Sequence, residues 1–391
     1  MREFDVIIIG AGAAGLMCAL AAGQRGRRVL VLDHGSEAGA KIVISGGGRC
    51  NFTNLGAAPD RYLSANPHFV KSALKRYSQH DVIAMVTRHR IAYHERKWGQ
   101  LFCDDSARQI VAMLLAECAG HGVDLRLGHR ITDITKADRY RVATDHGEFF
   151  APALVLATGG LSIPKMGATG FALDTARRFG LAVTPTRAGL VPLRFAEADL
   201  ALMRGLTGIA LEAEVSLGKR RFREAVLFTH RGLSGPAILQ ISSFWRDGET
   251  IAVNLLPDLD AQAFLVGRRA ERPKAELKTV LAEVLPQRLA VALCEAHLSN
   301  PVMANLSNAA LAGAAELLNG WRLTPSGSEG WRTAEVMVGG VDTNGLSSKT
   351  MEAREVPGLF VIGEAVDVTG WLGGYNFQWA WSSGWCAGQA V

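Results

Sequence analysis

The chain contains no Cys-x-x-Cys pair. Its cysteines (Cys18, Cys50, Cys103, Cys118, Cys294 and Cys386) are scattered, which argues against a dithiol redox pair or a zinc ribbon and leaves no metal site to expect. Unpaired thiols in this arrangement read as a reduced, cytoplasmic protein. Long apolar runs are also missing. Only Val6 to Ala22 is uncharged and mostly apolar, and nothing else approaches the roughly 18–20 residues of a membrane span. The acids Glu3 and Asp5 precede that run where a secretory signal would be basic, so it reads as part of the fold and no membrane partner is expected. An excess of one charge is lacking too. Net charge is +5, from 42 basic and 37 acidic residues. That balance permits anionic ligands without calling for nucleic acid. With 48% hydrophobic and 20% charged residues over 391 positions, the chain is globular and long enough for roughly two or three domains.

What is present is concentrated first at Phe4 to Asp33. Val6 to Ile9 reads as a buried parallel strand feeding Gly10-Ala11-Gly12-Ala13-Ala14-Gly15, and a helix of small residues runs to about Gln24. Arg28 to Leu32 reads as a second strand, ended by Asp33. In this register Gly10 permits a tight turn, Gly12 lets backbone approach a pyrophosphate, and Gly15 lets helix pack on strand. The helix start, with Ala13 and Ala14, offers free N–H groups and a positive dipole end to phosphate. Asp33 is placed to accept from an adenosine ribose. No second Gly-x-Gly-x-x-Gly follows a strand, so no separate nicotinamide-nucleotide domain is expected.

Further along, Lys41 to Asn54 carries three consecutive glycines before Arg49, Cys50 and Asn51, a flexible, donor-rich segment suited to an anion or a ring edge. Residues 68 to 90 read as one helix, 94 to 102 as turn-rich, and Ser106 to Gly120 as an amphipathic helix with Ser106 a candidate cap. Leu154 to Ala157 is another buried strand, leading into Thr158-Gly159-Gly160. From Leu190 the pattern changes to alternating strands, with Leu211 to Leu217 returning through Arg223 to Phe228, followed by the polar turn Thr229-His230-Arg231-Gly232. Residues 259 to 320 are helical in pattern, broken at Pro273, Pro286 and Pro301. The end of the chain returns to the first pattern. Leu359 to Ile362 runs into Gly363-Glu364-Ala365-Val366-Asp367, and Gly373-Gly374-Tyr375-Asn376-Phe377 opens a final helix.

With these segments in view, the chain resembles the BaiN/YhiN-like flavoproteins, a bacterial family labelled NAD(P)/FAD-dependent or aminoacetone-oxidase-like. The resemblance runs through GAGAAGL (10–16), KIVISGGGRCNFTN (41–54), ATGG (157–160), IPKMGATGFALDTARRFGL (163–181), LFTHRGLSGPA (227–237), TAEVMVGGVDT (333–343) and GLFVIGEAVDVTGWLGGYNFQWAWSSG (358–384). It implies an α/β fold in three parts. These are a Rossmann-like FAD-binding domain of the glutathione-reductase type (1–188 plus 333–391), an inserted β-rich domain (189–258) and a small helical domain (259–332). It implies that the GAGAAG turn and Asp33 hold the ADP half. Arg49, Cys50, Asn51, Thr158 and Gly159 would lie along the FAD, and Gly363 and Glu364 would meet the ribityl and pyrophosphate region. Gly374, Tyr375, Asn376 and Phe377 would bring a helix start to the pyrimidine edge, with Lys41 and Asp367 counted in the same set. Asp33 departs from the more common glutamate, and GATGFAL departs from the GATPFGY form of close relatives.

The expected function is an FAD-dependent oxidoreductase acting on a small molecule, reducing an activated C=C or C=O with electrons from NAD(P)H docked transiently at the flavin. Oxidation of an amine or aminoketone with O₂ is the alternative within that class. An RNA-associated or redox-sensing flavoprotein is the alternative outside it, and its sequence support is the basic stretch Lys219 to Arg223. His230 and Arg231 are the candidate acid/base and anion clamp of the inserted domain, and Arg49 a candidate substrate contact. Cys50 beside a flavin also invites a redox reading, but no resolving cysteine is near it in sequence.

Overall fold

The computed structural model describes residues 3–391. The chain divides into two compact units, Met1–Arg187 with Val336–Val391, and Ala188–Glu335.

The first unit is built on a five-stranded parallel sheet. β1 (Val6–Ile9) lies at its centre, between β2 (Val29–Leu32) and the strand Ala153–Leu156, with Asp124–Arg126 and Leu359–Val361 at the edges. Every residue of the three inner strands is buried, which is why they read as unbroken apolar runs without alternation. α1 (Ala13–Gly23) is buried at every position after Ala13, so it is small and apolar all round instead of amphipathic. The C-terminal helix Tyr375–Gly388 packs against it through glycine. A Cβ on Gly384 would lie 2.4 Å from the Ala14 carbonyl oxygen, and one on Gly388 would lie 2.6 Å from both the Cys18 carbonyl oxygen and Ala21 Cβ. These two glycines, one turn apart, let the helix backbones approach more closely than any side chain would permit. Trp379 and Trp381 on the same helix are buried, and their indole N–H groups donate to the Gly363 and Phe52 carbonyls.

Three local expectations are corrected. Residues 68–90 form two helices, Val70–Arg76 and Gln79–Arg88, because Ser78 opens the second with a reciprocal capping box to Asp81. The turn-rich 94–102 stretch is a hairpin, Tyr93–Arg96 against Gln100–Cys103, with Asn51–Asn54 added as a third strand. The segment before Asn51 is ordered locally, with a short helix Ala40–Ile44 and a tight turn in which Gly46 and Gly47 take left-handed conformations.

The second unit carries a seven-stranded sheet with Ala210–Leu217 and Arg220–Thr229 as its long antiparallel pair. Helices Ala261–Glu271, Leu277–Leu281, Gln287–Leu293 and Asn308–Gly320 follow, separated at the three prolines. The strand Trp321–Leu323 then pairs with Ile251–Asn254 in the same sheet. The segments expected as separate β-rich and helical domains therefore share one unit. Among the described residues no helix is long and apolar enough to cross a membrane.

Candidate cofactor and active site

The turns that leave the parallel strands at their C-terminal ends meet one another, the usual place for a ligand in an open α/β sheet. Gly10, after β1, has φ +113°, and a Cβ there would lie 2.4 Å from the Ala157 carbonyl oxygen. A Cβ on Gly15 would lie 1.9 Å from the Gly10 carbonyl oxygen. Gly12 differs, since a Cβ there would meet nothing within 4 Å. Gly10 and Gly15 are thus required by packing within the protein, whereas Gly12 borders open space at the start of α1. The first α1 bond runs from Leu16 N–H to the Gly12 carbonyl, leaving the amides of Ala13, Ala14 and Gly15 without partners inside the helix. Asp33 braces this turn. Its Oδ2 accepts from Ala11 N–H at 2.7 Å and its Oδ1 from Gly35 N–H at 2.7 Å, and each oxygen keeps lone-pair capacity for a ribose hydroxyl.

The next turn holds Thr158 and Gly159. Thr158 Oγ1 is buried with no hydrogen-bond partner among the described residues. Gly159, at φ +74°, faces Glu364, with Glu364 Oε2 3.4 Å from where its Cβ would be. Gly363, at φ +65°, sits against Ala14 and donates its N–H to Ser383 Oγ at 3.1 Å. Lys41 Nζ lies 3.0 Å from Glu364 Oε2 and 2.8 Å from Ser162 Oγ. Ser162 Oγ donates to Glu364 Oε1 at 2.7 Å, and Met337 N–H donates to the same oxygen at 2.9 Å. Desolvation pushes the Glu364 pKa up, but the Lys41 charge and the hydrogen bonds from Ser162, Lys41 and Met337 outweigh it and hold the carboxyl below its ordinary value. Ser162 is not among the residues singled out from sequence.

The third part is the start of the C-terminal helix. Gly374 is its N-cap at φ +94°, and a Cβ there would lie 2.4 Å from the Thr53 carbonyl oxygen. Asn51 is buried beside it. With the Asn51 amide oriented so that its nitrogen donates to the Thr53 carbonyl at 3.1 Å, its oxygen accepts from Gly374 N–H at 3.3 Å. The first helical bond runs from Gln378 N–H to the Gly374 carbonyl, so the amides of Tyr375, Asn376 and Phe377 lead the helix. The Asn376 side chain has another use. Its oxygen accepts from Gly370 N–H at 2.8 Å, and its nitrogen donates to the Gly370 and Trp371 carbonyls at 2.9 and 3.3 Å. It closes the preceding loop. Asp367 is buried, which pushes its pKa up, and its Oδ2 accepts from Ala65 N–H at 3.0 Å. Asn54, Gln100 and Gln378 join the network without having been singled out. Asn54 Nδ2 donates to the Gly373 carbonyl at 2.7 Å, Gln100 contacts Asn51 at 3.0 Å, and Gln378 accepts from Thr53 Oγ1 at 2.6 Å.

Arg49 is exposed at the end of the glycine turn, and its guanidinium has no partner among the described residues. Cys50 is fully buried, and burial pushes its thiol up to about 12. That removes the thiolate a redox role would need. His230 and Arg231 occupy an exposed turn of the second unit, where Arg231 N–H donates to Thr229 Oγ1 at 3.2 Å and the Arg231 guanidinium lies 3.7 Å from Glu329. In the Lys219 to Arg223 hairpin, Arg221 pairs with Glu214, Arg223 with Glu212 and Asp258, and Arg220 covers Phe244. Two of the four cations in this stretch, Arg221 and Arg223, are therefore already ion-paired. No cluster of His, Cys, Asp or Glu fit to hold a metal occurs among the described residues.

Residues 4–390 match the family model described as the HI0933-like protein Rossmann domain. The chain belongs to this family. The HI0933-like chain has a Rossmann-like FAD-binding fold with an added antiparallel sheet, and it is a flavoprotein oxidoreductase by class. It is 52% identical over 392 residues to the ribosomal RNA dihydrouridine synthase of Escherichia coli K12, covering 100% of this chain and 98% of that protein. It is 28% identical over 405 residues to the 3-dehydro-bile acid delta(4,6)-reductase of Clostridium scindens, covering 98% of each. In fold it is similar to the 3-ketosteroid-delta4-(5alpha)-dehydrogenase of Rhodococcus jostii RHA1, at a TM-score of 0.51 and 15% identity over 99% of this chain and 97% of that one.

Proposed function

We propose that this protein reduces uridine to dihydrouridine in ribosomal RNA, adding hydrogen across the ring C5=C6 bond with electrons that come from NAD(P)H. The observation that carries this reading is the full-length 52% identity to a protein named for that reaction. The more distant bile-acid relative fits the same chemistry. In uracil, as in a 3-oxo-4-ene, the double bond is conjugated to a carbonyl, so its far carbon accepts hydride and the carbon beside the carbonyl accepts a proton. In this reading the substrate is an activated C=C carried by RNA instead of by a small metabolite.

The donor set fits FAD. Gly12 borders open space, Thr158 Oγ1 is a buried hydroxyl without a partner among the described residues, and two helix starts present amides. In this reading the Gly12, Ala13 and Ala14 backbone meets the pyrophosphate, and Asp33 meets the ribose. Thr158, Gly159, Gly363 and Glu364 line the middle of the cofactor, and the Gly374 to Phe377 helix start meets the pyrimidine edge. FAD supplies the hydride chemistry when bound. The positive helix end favours an anionic ring at that edge. Lys41 holds Glu364 ionised, and Asn51 and Asn54 fix the position of the Gly373–Gly374 turn.

Deletion of the gene in its host should remove a dihydrouridine from ribosomal RNA, read as a two-dalton loss in nucleoside mass spectrometry, and plasmid-borne wild type should restore it. Ribosomal dihydrouridine unchanged by deletion would sink the reading. Anaerobic mixing of the purified holoprotein with NADH and with NADPH would then be followed by a screen of small enones, which the bile-acid relative favours.

A further inference from the structure

The hairpin between Tyr93–Arg96 and Gln100–Cys103 turns at Lys97, Trp98 and Gly99. Trp98 sits there at φ 64°, ψ 30°, with 66% of its surface exposed. The first fact works against the folded state, and the second leaves most of the indole surface open to a ligand. A bulky residue in the left-handed region is strained, and an indole left in water forgoes one of the largest apolar burials a side chain can make. Glycine at the same position would relieve the strain. Leu55, itself 39% exposed, is held beside the turn by its N–H bond to the Gly99 carbonyl at 2.8 Å. The cations Arg96 and Lys97 immediately precede the indole, and the Arg96 guanidinium lies over the Phe102 ring at 4.5 Å.

The position of this turn links it to the candidate site. Asn54 Nδ2 donates to the Trp98 carbonyl at 3.1 Å and to the Gly373 carbonyl at 2.7 Å. One side chain thus ties the tip that presents the indole to the glycine turn that opens the C-terminal helix.

We propose that Trp98 is a stacking platform for a nucleobase of the RNA substrate, with Lys97 meeting an adjacent phosphate; this rests on the ribosomal RNA reading above. A uracil inside a duplex is out of reach of any active site, so the reacting nucleotide must leave its stack. Its neighbours then expose a base face, and an exposed indole beside a cation covers such a face in a sequence-tolerant way. The strained, solvent-facing tryptophan is thereby accounted for as a binding element.

The test uses FAD-loaded full-length protein and a fluorescein-labelled oligo(U) 12-mer followed by anisotropy, with complementation of the deletion strain in parallel. Trp98→Gly and Trp98→Ala should bind the 12-mer about tenfold to a hundredfold more weakly than wild type, the range for loss of one stacked base, and Trp98→Phe should retain most of the affinity. Lys97→Gln should lower the salt slope by about 0.7. Trp98→Gly fits the backbone without strain, so a weaker-binding, normally folded W98G protein excludes misfolding as the cause. Equal RNA affinity in wild type and both truncations would overturn the platform while leaving the substrate reading standing, provided wild type restores ribosomal dihydrouridine. Failure of wild type itself to restore dihydrouridine would overturn both.

Discussion

Lys41 and Glu364 meet at 3.0 Å although 323 positions separate them in the chain. The pair joins the glycine-rich segment after β2 to the turn after the Leu359–Val361 strand. Lys41→Met should lower stability by about 1–3 kcal/mol. That lies between exposed and buried pairs, because the Lys41 side chain is 35% exposed and partly screened. The Glu364 pKa is depressed in the fold, so its stabilising contribution is present above the ordinary carboxylate range and is lost as pH falls through its folded value. Denaturant melts from pH 7 to 3 should therefore show a steeper acid loss in wild type than in Glu364→Gln. Parallel curves would remove the pair from the account.

The glycines of the first turn should separate folding from cofactor capture. Gly15→Ala places a methyl 1.9 Å from the Gly10 carbonyl oxygen, and the cofactor-free protein should lose several kcal/mol or fail to fold. Gly12→Ala meets nothing within 4 Å, so cofactor-free melting should stay within about 0.5 kcal/mol of wild type while FAD affinity falls. Wild-type FAD content in Gly12→Ala would place the pyrophosphate elsewhere.

Thr158→Val tests the orphaned hydroxyl. Removing a buried polar atom that has no partner among the described residues should leave the cofactor-free fold unchanged or up to about 1 kcal/mol more stable. If that hydroxyl meets the cofactor, FAD binding weakens by about tenfold, measured by flavin fluorescence titration. A variant destabilised without cofactor would show that Thr158 serves the fold.

All six cysteines are buried, and the Cys50 thiol is pushed up to about 12 by desolvation. Native protein at pH 8 should therefore react with a thiol reagent only on unfolding timescales, and Cys50→Ala should keep its activity. Rapid labelling at Cys50 would revive a redox role for it.

The Rossmann-like half was legible because its signal is local. Gly10, Gly12 and Gly15 follow an apolar strand within a few residues; Gly10 and Gly15 have the steric reason that the pattern implies, while Gly12 borders open space. The Lys41–Ser162–Glu364 triangle was not legible as a unit, since its members come from three distant segments and only the fold brings them together. The place of Asn376 at the helix start is legible from the glycines before it, but the reach of its side-chain amide back to Gly370 is not. The 93–103 hairpin is hard to read from sequence because only one of its two left-handed turn positions is glycine, Gly99, the other being held by Trp98. The division into β-rich and helical domains gave way to one unit because Trp321–Leu323, three residues long, is too short to announce that the chain rejoins the sheet.

The pairing of α1 with the helix Tyr375–Gly388 also sets an order of events during synthesis. α1 is apolar on every side and emerges early, whereas the glycine-notched helix that covers it is translated only after the whole of the second unit. Until residue 388 has cleared the ribosome, α1 lacks its cover and the helix start at Gly374 does not exist. The second unit, contiguous in sequence, can close first, while the first must wait for a contact spanning nearly the full chain, a slow kind of closure that leaves apolar surface open to chaperones and proteases. A ribosome that stalls before Tyr375 therefore releases a chain that exposes its own quality-control signal and cannot complete a flavin site.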